Sequence, residues 1–283
     1  MSEFFQALRD PDIAFFHDAF IVGILASVAL GIIGTYVVTR RITYIAGAIS
    51  HCVLGGIGAA LYLRTVCGWA WCDPLYGAVA SALLAAVLIG LVSLYARQRE
   101  DSVIGALWSV GMAVGLLFFA KTPGYADPMS YLFGNILLVG REDLRLVVAL
   151  DLLVAGLGIA LYHKFLAVCF DEEFTELRGV RVKLHYLLLL CLTALTVVLL
   201  VRVVGIVMVI ALLTLPAAVA GHFSRQLWQM MGLAILCCMA FITAGLGVSY
   251  HWDLPPGPSI IILAAGVYLA VVLIRGAGRL RGG

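Results

Sequence analysis

The chain has 283 residues, of which 63% are hydrophobic and only 12% charged, and its mean hydropathy is +1.09. Soluble domains carry about 45–50% apolar and about 25% charged residues, so an ordinary soluble enzyme is excluded, and so is a disordered chain, which needs low hydrophobicity and high net charge. A formal charge of +2 is too small to argue for nucleic acid, and an integral membrane protein remains.

A helix crosses the hydrocarbon layer with roughly 20 mainly apolar residues, whereas a barrel strand is about 10 residues of alternating pattern. The apolar runs are continuous, so the fold class is all-α: a polytopic transmembrane helical bundle. In chain order the spans are expected at 19–39, 42–63, 74–95, 103–120, 146–162, 185–201, 203–215, 229–248 and 258–274. The stretch 131–140 is apolar but too short to cross and reads as a re-entrant or surface helix; counted as a span it makes ten. The 203–215 span is also short, with Pro216 expected to end it, and without it the count is eight. Residues 1–18 are acidic and lack the basic start of a cleaved signal peptide, so they form an N-terminal segment before a transmembrane domain at 19–275 and a tail at 276–283.

Lys and Arg set the orientation. With the C-terminus inside, twelve basic residues fall on inner loops and six on outer segments, which places the N-terminus outside and the C-terminus in the cytoplasm. The acids lean outward, nine against six. An acidic outer mouth raises the local cation concentration; plain topology signalling explains the same asymmetry.

Two groups stand out at bilayer depth, where ionisable side chains are costly and functional by default. His51 lies about 13 Å into its span at 1.5 Å per residue. An imidazole there is either a transition-metal ligand or a hydrogen-bonded histidine between helices. Asp151 either lines a cation path or pairs with Arg145 or a neighbouring helix. Cys67 and Cys72 share one short outer loop, 64–73, and can pair in an oxidising periplasm. Gly111 with Gly115, and Gly55 with Ala59, are small-residue pairs that let helices approach closely. No lysine follows a glycine, so the chain lacks the Gly-Lys-Ser/Thr of a phosphate-cradling loop, and any ATP hydrolysis must take place on another subunit.

Six motifs in order carry a resemblance over about residues 15–275. Arg40-Arg41-Ile-Thr-Tyr44 is followed by Ser50-His51 and Gly55. Then come Asp101-Ser-Val-Ile-Gly105, Tyr131-Leu-Phe-Gly134-Asn-Ile-Leu137 before Glu142-Asp143, and Asp171-Glu-Glu-Phe-Thr-Glu-Leu-Arg-Gly179. Val204-Gly205-Ile leads to Leu215-Pro216-Ala217-Ala218, and Asp253-Leu-Pro-Pro-Gly257-Pro258 precedes the last span. The chain resembles the membrane permease subunit of bacterial zinc/manganese/iron ABC importers. The resemblance implies a multi-pass protein of the bacterial cytoplasmic (inner) membrane that is not itself an enzyme and holds no cofactor of its own. A divalent metal is the transported substrate and ATP sits on the partner. It also implies two cytoplasmic ATP-binding subunits, an extracytoplasmic metal-binding protein and a second permease copy or paralogue. His51 and Asp151 become transient metal-pathway residues. The segment 216–226 resembles the family's short ATPase-coupling helix, with Pro216, Ala217, Ala218, Gly221, His222, Phe223, Ser224 and Arg225 as its residues.

The sequence departs from the family at three places. Many members carry an aspartate four residues before the histidine, on the same helix face; here that position is Gly47. Some zinc-type members have a histidine where this chain has Ser109. The coupling segment lacks the family's arginine, reading Ala217-Ala218-Val219-Ala220-Gly221-His222. An ion-gradient-driven secondary transporter, with Asp151 as its proton or sodium site, is the alternative.

Overall fold

The computed structural model describes residues 14–95, 100–124, 128–134, 136 and 139–281. Residues 1–13 of the N-terminal segment, Arg97, Arg99 and Asp127 among the sorted charges, Asn135 and Leu137 of the 131–140 stretch, and 282–283 of the tail lie outside them.

Every regular element among the described residues is a helix: α1 (Ala14–Thr39), α2 (Thr43–Thr65), α3 (Pro74–Tyr95), α4 (Glu100–Lys121), α5 (Pro128–Phe133), α6 (Arg141–Ala160), α7 (Tyr162–Phe170), α8 (Glu172–Leu177), α9 (Val182–Val204), α10 (Ile206–Gly221), α11 (Leu227–Trp252) and α12 (Pro256–Arg281). Seven are long and apolar enough to cross a membrane: α1, α2, α3, α4, α9, α11 and α12. The span expected at 146–162 is α6, which continues into α7 through a 71° bend, and the two together make an eighth. The span expected at 203–215 becomes α10, an apolar helix of 16 residues and the shortest of the nine expected. Pro216 does not end it. It lies inside α10, which runs on to Gly221. α12 runs on as far as Arg281, through most of the 276–283 tail.

Lipid tails are as apolar as leucine, so helices in a bilayer associate by close packing rather than by exclusion of water. Small residues supply that packing here. α2 is the most enclosed helix and sits between α3 and α4. A Cβ added at Gly55 or Gly58 would lie 2.8 or 2.7 Å from the carbonyl oxygen of Gly111 or Gly115 on α4. One at Gly56 would meet the Gly77 carbonyl of α3 at 2.2 Å. The Gly111/Gly115 pair read from the sequence therefore sits on the α2–α4 seam. The second half of the bundle gathers around α1, which packs on α6, α10 and α11, while α12 packs on α10 and α11. α9 touches both halves through α2, α3, α6 and α10.

Contacts at the helix ends sort as the charges did. At one end Arg40 pairs with Glu172 and lies over the Tyr186 ring, Lys183 lies over Tyr95, and Arg275 over Phe223. At the other, Arg64 pairs with Asp73 at 3.3 Å and Arg202 with Asp143 at 2.9 Å. Asp143 also accepts from the Gly140 N–H and so caps α6.

At that second end three of the sequence motifs converge. Gly205, between α9 and α10, has φ 83° and ψ 160°, a conformation essentially restricted to glycine. Gly134, after α5, also has positive φ, at 64°. A Cβ on Gly205 would lie 2.3 Å from the Gly134 nitrogen, and one on Gly134 would lie 2.4 Å from the Gly205 nitrogen. Gly257, in the first turn of α12, approaches the Phe133 carbonyl as closely as 3.1 Å from its own Cβ position. The 131–140 stretch is therefore wedged, through its described residues, into the break between α9 and α10. Replacing Gly205 with alanine is expected to cost about 2 kcal/mol or more through strain and overpacking. Gly232→Ala on α11, where a Cβ meets nothing, is expected to stay within about 0.5 kcal/mol of the parent. Melting temperatures of the two variants in detergent check this.

Candidate functional site

His51 is the ninth residue of the 23-residue α2, so it sits near mid-helix. The residue is 7% exposed, and Nδ1 is buried without a hydrogen-bond partner. Nδ1 therefore makes none of the hydrogen bonds that would hold the ring between helices. The ring is instead stacked on the Trp108 indole of α4, with centroids 4.6 Å apart and planes 25° apart.

Trp108 also explains Gly47. A Cβ at Gly47 would lie 2.6 and 2.9 Å from two carbons of the indole. The face of α2 one turn before the histidine is thus covered by an aromatic ring, and a side chain at Gly47 would have to displace it. Sequence reading found the glycine but not the tryptophan. The visible signal was a large aromatic in the fourth span one residue before Ser109. Ser109 itself is exposed and donates its hydroxyl to the Gly105 carbonyl of its own helix at 2.9 Å.

Asp151 lies elsewhere. It is 8% exposed on α6, and its Oδ1 accepts from the Ala29 N–H in the middle of α1 at 3.1 Å. Oδ2 is buried and unpartnered. No ion pair with Arg145, which is exposed, forms among the described residues. α6 packs chiefly on α1 and α9, whereas α2 packs chiefly on α3 and α4, so Asp151 and His51 stand on different seams. Among the described residues no group of three or more His, Cys, Asp or Glu side chains could hold a metal ion. A group smaller than that suits a passing contact better than a resident metal.

The segment 216–226 is not a separate helix. Its first part, with Pro216 and Ala217 buried, is the end of α10. The chain then turns through His222 and Phe223, whose N–H groups donate to Val219 and Ala220, and Ser224 caps that turn through its hydroxyl to Ala220. Gly221, Phe223 and Arg225 are exposed, and Arg275 sits 4.6 Å over the Phe223 ring. Any protein that binds this segment meets the turn and not the buried Pro216. In the 64–73 loop Cys67 is exposed and Cys72 buried, both as free thiols. Trp69 and Trp71 stack beside them at 5.6 Å.

The Asp151 geometry is that of a brace between α6 and α1. Asp151→Asn keeps an acceptor for the Ala29 N–H and is expected to retain the parental transport rate. Asp151→Ala removes it and is expected to cost about 1–3 kcal/mol. Metal uptake together with the melting temperature separates these, and a folded, inactive Asp151→Asn would return the residue to the pathway.

Comparison with known proteins gives this geometry its context. Residues 12–275 match the family model described as the ABC 3 transport family. A "Probable metal transport system membrane protein" of Chlamydia pneumoniae is 40% identical over 90% of this chain and 87% of its own length. The "Manganese transport system membrane protein MntC" of Listeria monocytogenes is 31% identical over 92% and 90%. In the solved structure of PsaBC from Streptococcus pneumoniae in complex with Fab, one chain superposes with a TM-score of 0.83 at 27% identity, covering 95% of this chain and 94% of that one. The chain therefore belongs to the ABC 3 transport family, as a membrane permease of the metal ABC transporter kind.

Proposed function

We propose that this permease carries a divalent transition metal (zinc, manganese or iron) into the cytoplasm by alternating access, in the bacterial inner membrane and with ATP hydrolysed by separate subunits. The carrying observation is His51: a buried imidazole at mid-helix with an unpartnered nitrogen, in a permease whose relatives are named for metal transport. One imidazole is a weak site, and a passing ion must also leave, so weak binding suits the task. A second permease copy supplies further ligands across the pathway. The outer face of α4 suits such a copy: it is the least enclosed long helix and exposes Val110 and Leu117. An extracytoplasmic binding protein delivers the ion to the end bearing Arg64, Asp73 and Arg202. Cytoplasmic ATPases act on the exposed turn at Gly221–Arg225.

Reconstitution of the chain with its ATPase and binding protein tests this. Uptake is expected to require ATP, and His51→Ala is expected to abolish it while the complex still assembles. Parental uptake by His51→Ala would remove the residue from the path, and metal uptake by the chain alone without ATP would favour a gradient-driven transporter. Competition among labelled zinc, manganese and iron identifies the ion: the true substrate is expected to displace the others at the lowest concentration.

A further inference from the structure

We infer that Trp108 is a gate on His51: its indole closes the imidazole off from the clefts at the α1–α2 end of the bundle and swings away to let an ion pass. This rests on His51 lying in the pathway.

Two clefts meet at Trp108. One, of about 590 Å³, opens beside the α1–α2 turn, is lined by Arg41, Tyr44 and Thr214 among others, and ends on Gly47 and Trp108. The other, of about 430 Å³, is lined by Tyr44, Asp101, Ile104, Gly105 and Trp108. His51 lines neither among the described residues, although it is only one helical turn beyond Gly47. What stands between the imidazole and both clefts is the indole, with one face on His51 and its ring over Gly47.

The chemistry fits a barrier that moves. The indole presents its π face to the imidazole and satisfies no hydrogen bond of Nδ1, which stays free to bind when uncovered. Trp108 is half-buried, and the larger cleft beside it takes the ring when it turns. An aromatic face attracts a partly desolvated cation, so the same ring lowers the cost of passage. Asp101 in one cleft draws a cation onward, while Arg41 at the mouth of the other disfavours its lingering. Gly47 is the seat of the gate. With a side chain there the ring cannot lie flat over α2, and the imidazole is open to the clefts.

Diethyl pyrocarbonate, which modifies imidazoles that water reaches, tests this on the assembled transporter without nucleotide, with His51 modification read by peptide mass spectrometry. Trp108→Ala is expected to speed modification of His51 by about tenfold, the signature of a lost local barrier. Gly47→Ala, which keeps the ring but displaces it, is expected to do the same, and Trp108→Phe to stay near the parent. His185 is buried at the end of α9, its Nδ1 2.9 Å from the Arg181 carbonyl oxygen, and serves as the internal standard. His51 reacting faster while His185 does not supports the gate. An unchanged His51 rate in Trp108→Ala overturns it, and so does a joint rise of His51 and His185, which marks general loosening. Where Trp108→Ala fails to assemble, Gly47→Ala decides by the same readout. Failure of the underlying pathway reading shows separately, as normal metal uptake by His51→Ala.

Discussion

The seam between α2 and its neighbours α3 and α4 is the constraint on which the site depends. A bilayer offers no hydrophobic reward for joining two apolar helices, so the seam holds only if backbones come close enough for many weak contacts to add up. Gly55, Gly58, Gly111 and Gly115 bring α2 and α4 to backbone contact, and Gly56 and Gly77 do the same for α2 and α3. That approach fixes the height of α4 against α2. It thereby puts Trp108 level with His51 and Gly47, and a longer side chain anywhere along the seam would separate the ring from the imidazole.

The second fixed point is the glycine crossing of Gly134 and Gly205. It interrupts the long apolar stretch from Val182 to Gly221 and divides it into a spanning helix and a shorter one. The break sits at the end of the bundle where Arg202 is held by Asp143. The opposite end carries the α1–α2 turn, the Arg40–Glu172 pair and the exposed turn after α10. The alternating access proposed here needs distinct ends joined by helices, and these two sets of contacts mark two such ends.

Much of this was legible in the residues. Long apolar runs with charges between them can only be membrane helices, and the pairing of Arg40 with Glu172 and of Arg202 with Asp143 follows the sides to which the charges were assigned. What the chain concealed has physical reasons. Pro216 looked like a helix end because proline removes a hydrogen bond, yet α10 tolerates it in its interior. The 71° bend between α6 and α7 left no trace in hydropathy, which is blind to direction. Asp151 could be read as lining a cation path or as pairing with Arg145 or a neighbouring helix; it is held by a backbone N–H of the neighbouring α1, 122 residues away in sequence. Trp108 read as one more apolar residue, because the stack with His51 depends on a helix approach that no single segment encodes.

The site that emerges differs from an Asp-His pair on one helix face. The imidazole of His51 is stacked on the Trp108 indole, which also covers Gly47 one turn earlier. The central claim is that the transported ion touches this imidazole on its way through. X-ray absorption of the ion held in the assembled transporter tests it most directly. Scattering from an imidazole nitrogen in the parent, lost in His51→Ala, is the predicted result; an oxygen-only shell in the parent, or the same nitrogen scattering in the variant, would contradict the account.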